Sequence, residues 1–329
     1  INLDRLLCVY GLQTCAHDKG VVNNSTNQYH KIFKEVACLN ILTPFEYFAP
    51  ETLDEALELL ATKENAKILA GGTDLMIQLK EKMIQPANVI DVTHIPELKE
   101  FKVEDGKGAV IGACTTDAFC EFSEELKAKY PAFSYAAGEI GGPQVREMGT
   151  IGGNLANSGP SAETPASLIC YGADVVLVKK GGERTVPVAD FITGNRRNCL
   201  EDGEIIKSIV IPEPAANTYV KYAYVGMRQS MEIDIANMAI SLTVDGDTIT
   251  DAKCVMGSVA IKPLVSEAVP KALIGTKLGD EAAIKAAGEA AQSEVHPITD
   301  VRASANYRVD VIGALARRIL RELAAEING

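Results

Sequence analysis

Two glycine-rich turns are the parts of this sequence best suited to chemistry. They span residues 70–74 and 149–154, and each lies beside buried apolar segments. Glycine leaves backbone N–H groups uncovered, and a run of such groups can hold pyrophosphate oxygens. Thr73 and Thr150 add hydroxyl donors, and the Asn154 amide can bond a heteroatom of a ligand. A tight turn or bulge explains either glycine pair alone, but the two turns together favour a phosphate-binding site.

Other nucleotide-binding and metal-binding patterns are missing from the sequence. Gly106-Lys107-Gly108 lacks the third glycine of a dinucleotide-binding turn, and no GxxxxGK[ST] motif occurs. The eight Cys residues include no CxxC pair, and the four His residues lie far apart, so the spacings typical of zinc and iron–sulfur ligands are absent. We therefore predict no metal ligand and no catalytic side chain in this chain.

The elements that position the two turns follow from local patterns. Thr52-Leu53-Asp54-Glu55 is a capping box that precedes the apolar face of a helix. Asp74 can cap the helix after the first turn, a role compatible with ligand binding. Strands and helices alternate along this half of the chain, which is typical of α/β layering. We predict strands at 67–70, 88–92, 109–113, 174–178 and 205–211, and helices at 75–80 and 166–171.

The pattern changes after Pro212-Glu213-Pro214, which is a plausible boundary between domains. Predicted strands at 238–244 and 248–258 flank Asp245-Gly246-Asp247, whose Asp-Gly step favours a tight hairpin. Three helices are predicted to follow, at 266–274, 280–293 and 301–327. Strands followed by helices indicate a separate α+β domain, so the predicted fold class is α/β followed by α+β.

The amino-acid composition excludes some classes of binding partner. The 329 residues contain 32 Lys+Arg against 44 Asp+Glu, which gives a net charge of −12 without a basic stripe. Nucleic acid is therefore a poor partner, because phosphate neutralisation needs clustered Lys and Arg. No apolar run approaches the length of a membrane span, and no basic segment followed by an apolar stretch opens the sequence. We expect no membrane association and a cytoplasmic location.

Three segments make the sequence resemble a known family. They are ILAGGTDLMIQLK (68–80), GPQVREMGTIGGNLANSGPSAETPASL (142–168) and MRQSMEI (227–233). Together they resemble the FAD-binding subunit of the molybdenum hydroxylases, which include xanthine dehydrogenase. The resemblance covers about residues 39–329. It implies a two-subdomain FAD-binding fold of the PCMH type, followed by a small C-terminal domain of antiparallel strands and helices.

The resemblance also implies a set of cofactor-binding residues. FAD is expected to be held non-covalently, because neither glycine-rich motif contains His or Cys. Glu163 stands where the family usually has Asp, and is expected to accept a hydrogen bond from a ribose or ribityl hydroxyl. Tyr224 stands where the family often has Lys, and Glu232 replaces the Asp of the third motif. The implied FAD-binding residues are Ile68, Leu69, Ala70, Gly71, Gly72, Thr73, Asp74, Leu75, Ile140, Thr150, Ile151, Gly152, Gly153, Asn154, Glu163, Ile206 and Tyr224.

The function implied is that of an electron-transfer subunit. In the family, a large subunit holds the molybdenum cofactor and a small subunit holds two [2Fe–2S] centres, which pass electrons to FAD and then to NAD. The MRQSMEI stretch favours xanthine dehydrogenase. The alternatives are a nicotinate, aldehyde, carbon monoxide or hydroxybenzoyl-CoA system, or a scaffold subunit whose flavin site has degenerated.

The resemblance divides the chain into three parts. Residues 41–215 are expected to form the FAD-binding PCMH-type domain, and residues 216–329 a C-terminal domain like that of the CO dehydrogenase flavoprotein. Residues 1–40 precede the family's usual beginning near FEYFAP. We expect this segment to be either a natural extension or an upstream over-extension of the reading frame, with Leu39 as the true first residue.

Overall fold

The computed structural model describes residues 42–329. The hypotheses about the N-terminal extension and about Leu39 concern residues outside that range. No helix within it is both long enough and apolar enough to cross a lipid bilayer.

A small parallel sheet begins the described chain. Its strands β1 (Glu46–Phe48), β2 (Ala66–Leu69) and β3 (Asn88–Asp91) are arranged in the order β1-β3-β2. Helix α1 (Leu53–Thr62) precedes β2, and helix α2 (Leu75–Lys80) follows it. Parallel strands need such crossovers. The first glycine-rich turn therefore lies between the end of β2 and the start of α2, at the carboxyl edge of this sheet.

The predicted capping box forms at the start of α1, with one difference. The Thr52 hydroxyl accepts a hydrogen bond from the Glu55 N–H at 3.2 Å. The Glu55 carboxylate accepts its bond from the N–H of Glu51, at 3.0 Å, instead of from that of Thr52. The helix then buries Ala56 and Leu57 against the sheet.

A five-stranded sheet forms the second layer. It contains β4 (Phe101–Glu104), β5 (Gly108–Gly112), β6 (Asp174–Lys179), β7 (Gly182–Pro187) and β10 (Ile205–Ile211), in the order β4-β5-β10-β6-β7. Every neighbouring pair is antiparallel. The alternation of strands and helices in the sequence did not predict this antiparallel sheet or its strand order. Strand β10 is inserted between β5 and β6, and both precede it in the sequence.

Six helices connect β5 to β6 and bring the second glycine-rich turn to the site. They are α3 (Asp117–Phe122), α4 (Glu124–Lys129), α5 (Pro131–Gly138), α6 (Pro143–Arg146), α7 (Ile151–Asn157) and α8 (Thr164–Tyr171). A 3₁₀ helix (Pro96–Lys99) joins β3 to β4. Helix α9 (Val188–Phe191) and the short ribbon of β8 (Ile192–Gly194) and β9 (Arg197–Asn198) join β7 to β10.

The C-terminal part is an antiparallel sheet covered by helices, as predicted. Asp245 pairs with Thr248, so only Gly246 and Asp247 form the hairpin turn, and Gly246 has φ +60°. The sheet consists of β11 (Thr218–Val225), β12 (Ala236–Asp245), β13 (Thr248–Gly257) and β14 (Leu264–Val265), and three helices follow, α10 (Ala268–Leu273), α11 (Glu281–Glu294) and α12 (Ala305–Asn328).

The two halves of residues 44–329 share a hydrophobic core. Tyr222 of β11 and Ala239 of β12 are buried with Ile209 of β10 and the helices above it. The Cys170 thiol of α8 donates a hydrogen bond to the Ala239 carbonyl at 3.3 Å. Residues of β11 and β12 therefore pack against the part of the chain that precedes Pro212, close to the end of α7 and the start of α8.

Candidate functional site

The first glycine-rich turn presents unpaired backbone donors. The N–H groups of five consecutive residues, Gly71 to Leu75, have no hydrogen-bond acceptor among residues 42–329. Gly72 adopts φ +73°, a left-handed conformation that Gly tolerates without strain. Thr73 is exposed and its neighbours are half-buried, so these N–H groups are accessible, and a run of uncovered N–H groups can hold the oxygens of an anionic ligand.

The side chains of this turn have partners of their own. The Asp74 carboxylate accepts hydrogen bonds from Gln78 Nε2 at 2.6 Å and from Arg196 Nη1 at 3.3 Å. It accepts no hydrogen bond from a backbone N–H of α2, so the expectation that the Asp74 side chain caps this helix is wrong. Arg196, which sequence reasoning missed, thus brings a cation beside the first turn from the β8–β9 ribbon.

The two glycine-rich motifs touch each other through backbone atoms. A Cβ at Gly71 would lie 1.7 Å from the Met148 carbonyl oxygen and 2.9 Å from the Gly149 Cα. Only glycine permits this approach. The second motif therefore supports the first turn directly and fixes the direction in which its N–H groups point.

The donors of the second motif are already used within the protein. The N–H groups of Ile151 and Gly152 donate to the carbonyls of Thr115 and Ala113, at 3.0 and 2.9 Å. The Thr150 hydroxyl caps α7 by accepting from the Gly153 N–H at 3.1 Å. We expected both turns to have free N–H donors, but in the second turn only the N–H of Thr150 has no acceptor among residues 42–329.

In the second motif, one side-chain donor has no acceptor among the described residues and one glycine is exposed. Asn154 Oδ1 accepts a hydrogen bond from the Thr164 hydroxyl at 2.6 Å, which leaves its NH₂ group without an acceptor among the described residues. Gly153 is exposed, and a Cβ there would meet only the Thr150 hydroxyl, at 2.9 Å. These two residues form a surface that a ligand can approach closely.

A buried acid lies directly behind the second turn. Asp117, only 2% exposed, has no hydrogen-bond partner for Oδ1 among residues 42–329, and its Oδ2 would be 2.5 Å from a Cβ at Gly149. Burial raises the pKa of Asp117 to about 7, although the nearby Arg146 guanidinium lowers it. Arg146 is itself paired with Glu121 at 2.7 Å.

A second group of acids lies where β11 and β12 meet α8. Glu163, just before α8, is 8% exposed, and Asp234 is 2% exposed. Asp234 Oδ2 accepts hydrogen bonds from the Tyr222 hydroxyl at 3.0 Å and from Asn237 Nδ2 at 2.8 Å. Burial raises the pKa of Asp234 to about 7. Asp117, Asp234 and Asn237 were not predicted from sequence, because their roles depend on which residues lie opposite them.

The remaining expected residues are distributed around this region. Ile206 is 5% exposed and lies within the core beside β6. Ile140 is also buried, and its carbonyl accepts from Arg146 Nη1 at 3.1 Å. The Tyr224 hydroxyl donates to the Glu139 carboxylate at 2.6 Å, and burial followed by this bond raises the pKa of Tyr224.

The Tyr224–Glu139 bond gives a testable contribution to stability. Replacing Tyr224 with Phe removes one hydrogen bond to a charged group, which should lower the free energy of unfolding by about 2 kcal/mol. Urea unfolding measures the change. Tyr219→Phe, on the same strand but without a side-chain hydrogen bond among the described residues, should change stability by less than about 0.5 kcal/mol. Equal effects of the two variants would contradict the assignment.

Known proteins share both the sequence and the fold of this chain. Residues 43–214 match the family model of the FAD binding domain in molybdopterin dehydrogenase, and residues 221–323 match the CO dehydrogenase flavoprotein C-terminal domain. The carbon monoxide dehydrogenase medium chain of Hydrogenophaga pseudoflava is 34% identical over 84% of this chain and 96% of its own. The solved structure of carbon monoxide dehydrogenase from that organism superposes with a TM-score of 0.80, at 34% identity, over the same shares of the two chains.

Relatives that act on other compounds are nearly as similar. The glyceraldehyde dehydrogenase medium chain of Sulfolobus acidocaldarius is 32% identical over 85% of this chain and 98% of its own. The putative xanthine dehydrogenase FAD-binding subunit of Escherichia coli is 29% identical over 86% and 97%. The chain therefore belongs to the FAD-binding medium subunits of the molybdenum hydroxylases. The resemblance, the fold class and FAD as the cofactor are confirmed, whereas the relatives differ in substrate.

Proposed function

We propose that this chain binds FAD through the first glycine-rich turn and serves as the electron-transferring flavin subunit of a molybdenum hydroxylase complex. The observation that supports this best is the run of five N–H groups, Gly71 to Leu75, without acceptors among residues 42–329. A pyrophosphate supplies the oxygens that such a run needs. Arg196, ion-paired with Asp74 at 3.3 Å, offsets the negative charge of that carboxylate beside the turn.

The other expected residues are proposed to hold the rest of the cofactor. Ile68, Leu69 and Ala70 lead into the first turn, while Thr150, Ile151 and Gly152 shape the second and bring Gly153 and Asn154 to the ligand. Glu163 is proposed to bind the ribityl chain or the ribose. Ile140, Ile206 and Tyr224 are proposed to lie around the flavin ring. FAD, when bound, supplies reversible acceptance of one or two electrons, and the protein supplies its binding and surroundings.

The partners follow from what this chain lacks. Its cysteines do not have the spacing of iron–sulfur ligands, so we propose that electrons arrive from a small subunit with [2Fe–2S] clusters. The substrate would be oxidised on a large subunit with the molybdenum cofactor. Both groups are proposed to be in partner subunits only. The carbon monoxide dehydrogenase relative is a medium chain, which supports an assembly of this kind.

Flavin content tests this proposal. The purified full-length chain, alone or with its partners, should release about one FAD per chain on denaturation, identified by its absorption spectrum. Folded protein without flavin, and without affinity for added FAD, would refute the proposal and favour the scaffold alternative.

Gly153 offers a sharper probe of the binding surface. Val at Gly153 would project from an exposed position, so it should reduce FAD affinity at least tenfold by blocking close approach. Its Cβ would lie 2.9 Å from the Thr150 hydroxyl that caps α7, so we also expect a loss of stability of about 1 kcal/mol. Val at Gly72 is a poorer probe, because φ +73° makes that substitution strained even without ligand. Fluorescence titration with FAD measures the affinity. Undiminished affinity in Gly153→Val would remove the second motif from the site.

Xanthine as substrate and NAD⁺ as acceptor remain more specific hypotheses. The xanthine hypothesis rests on the MRQSMEI stretch, which the structure places in the loop between β11 and β12, and the NAD⁺ hypothesis rests on the family resemblance. An assay of NADH-dependent dye reduction by the FAD-loaded chain tests the acceptor. Identification of the large subunit that co-purifies with the chain tests the substrate. A large subunit of the nicotinate, aldehyde, carbon monoxide or hydroxybenzoyl-CoA type would contradict the xanthine hypothesis.

A further inference from the structure

One arginine links the first glycine-rich turn to the helix that begins with the second motif. The Arg196 N–H donates to the carbonyl of Ser158, the residue directly after α7, at 3.0 Å. Arg196 Nη1 donates to Asn157 Oδ1 at 3.2 Å and to Asp74 Oδ2 at 3.3 Å. Asp74 belongs to the first turn, and Asn157 is the last residue of α7. Arg196 therefore joins two parts of the candidate site from a third segment, the β8–β9 ribbon.

The backbone of Arg196 has an unfavourable conformation. Its φ is +52°, in the left-handed region that residues other than glycine rarely adopt. Gly194 pairs with Arg197 across the ribbon, so Arg196 is the second of the two residues that form the turn. A turn that needs a positive φ usually has glycine at that position. Residues that keep such a conformation are concentrated at functional sites, which points to a role for the Arg196 side chain.

The first turn contains an acid among the N–H groups proposed to bind the pyrophosphate. A carboxylate at Asp74 repels phosphate oxygens unless a cation neutralises it. Among residues 42–329, Arg196 is the only cationic side chain that forms a hydrogen bond or an ion pair with either glycine-rich turn. Arg146, which is close to the second turn in the sequence, is paired with Glu121 instead. Neutralisation of Asp74 therefore depends on Arg196.

We propose that Arg196 is a positioning residue that makes the first turn acceptable to the pyrophosphate of FAD, because it neutralises Asp74 and ties this side chain to the end of α7. This inference rests on the proposed FAD site. The side chains of Arg196 and Asp74 are 52% and 40% exposed, and an exposed ion pair adds little to folding stability. The effect of the pair is on the ligand instead. FAD brings negative charge beside Asp74, and this charge is repelled when Arg196 is absent.

Replacing Arg196 with Gly should separate ligand binding from stability. Gly adopts φ +52° without strain, and this gain offsets the greater freedom of the unfolded chain, so urea unfolding should give a stability close to that of wild type. FAD affinity, measured by fluorescence titration, should nevertheless fall about tenfold at low salt. Arg197→Gln is the control for Arg196→Gln, because Arg197 is exposed and loses the same charge, and it should retain wild-type affinity. Wild-type affinity in Arg196→Gly, or equal losses in the two Gln variants, would overturn the proposal.

Removal of the opposing charge tests whether Arg196 acts through Asp74. Arg196→Gln combined with Asp74→Asn should recover most of the FAD affinity that Arg196→Gln loses, because no carboxylate then faces the pyrophosphate. The loss in Arg196→Gln should also shrink at about 1 M salt, where charges are screened within about 3 Å. A loss that persists in the double variant or at high salt would give Arg196 a purely structural role and overturn the proposal. Wild-type protein that binds no FAD would instead refute the proposed function itself, whereas equal FAD affinity in wild type and Arg196→Gln would refute this inference alone.

Discussion

Replacing Gly71 with Ala is expected to separate the two glycine-rich motifs and to reduce FAD affinity by at least tenfold. The new Cβ would lie 1.7 Å from the Met148 carbonyl oxygen and 2.5 Å from its carbon. Both neighbours are backbone atoms, so no side-chain rotation relieves the overlap and one of the two turns has to move. Overlap of this kind should also lower the free energy of unfolding by about 3 kcal/mol or more.

Urea unfolding and fluorescence titration with FAD measure the two effects of Gly71→Ala. Gly182→Ala is the matched control, because a Cβ at Gly182 meets nothing within 4 Å and its φ is not positive. It should preserve both stability and FAD affinity. Gly153→Val should lose affinity with a smaller loss of stability than Gly71→Ala, because its Cβ meets a hydroxyl at 2.9 Å and no backbone atom, so the comparison separates contact with the ligand from assembly of the turns. Wild-type affinity in Gly71→Ala would show that the contact between the motifs is unnecessary for the site.

Replacing Asp117 with Asn is expected to stabilise the protein, and the gain should grow with pH. The pKa of Asp117 rises from 3.8 to about 7 on folding because the carboxyl group is buried. The folded chain therefore binds this proton more tightly than the unfolded chain, and stability falls as pH rises through that interval. At about 1.4 kcal/mol per pKa unit, the ionised acid costs about 4 kcal/mol at pH 8.

The measured gain should be smaller than that cost. An Asn amide with an unpaired polar atom costs about 1–2 kcal/mol at any pH, so we expect a net gain of about 2 kcal/mol at pH 8 that becomes a net loss of about 1 kcal/mol near pH 4. Urea unfolding of wild type and Asp117→Asn across this range gives the difference directly. Asp251→Asn, at an exposed position, should show no such trend. A difference between Asp117→Asn and wild type that does not change with pH would contradict the burial argument.

The parts of this fold that depend on neighbours in sequence could be predicted. The capping box of α1, the Asp-Gly hairpin and the two glycine turns each follow from the preferences of a few consecutive residues. The insertion of β10 between β5 and β6 could not be predicted, because it pairs Ile209 with Ile111 across the whole helical segment. No local pattern specifies such a partner.

The same distinction applies to the candidate site. The motifs identified which residues are glycine, but not which N–H groups lack acceptors. That depends on the carbonyls of Ala113 and Thr115, which use the donors at the start of α7. The hydrogen bond from Asn237 Nδ2 to the carbonyl of Ala162 joins, in the same way, two residues that are far apart in the sequence. The sequence shows which residues are next to a motif along the chain, but it does not show which residues lie opposite the motif in the fold.

The position of β10 has a consequence for how the molecule is made. During synthesis on the ribosome, a nascent chain that ends before Ile205 contains both glycine turns but lacks the strand that joins β5 to β6. Contacts between residues so distant in sequence form late. The FAD-binding half is therefore completed only by its last strand, and Pro212 begins the passage to the C-terminal half directly after it. Binding of FAD is thus expected only after β10 has left the ribosome and joined the sheet.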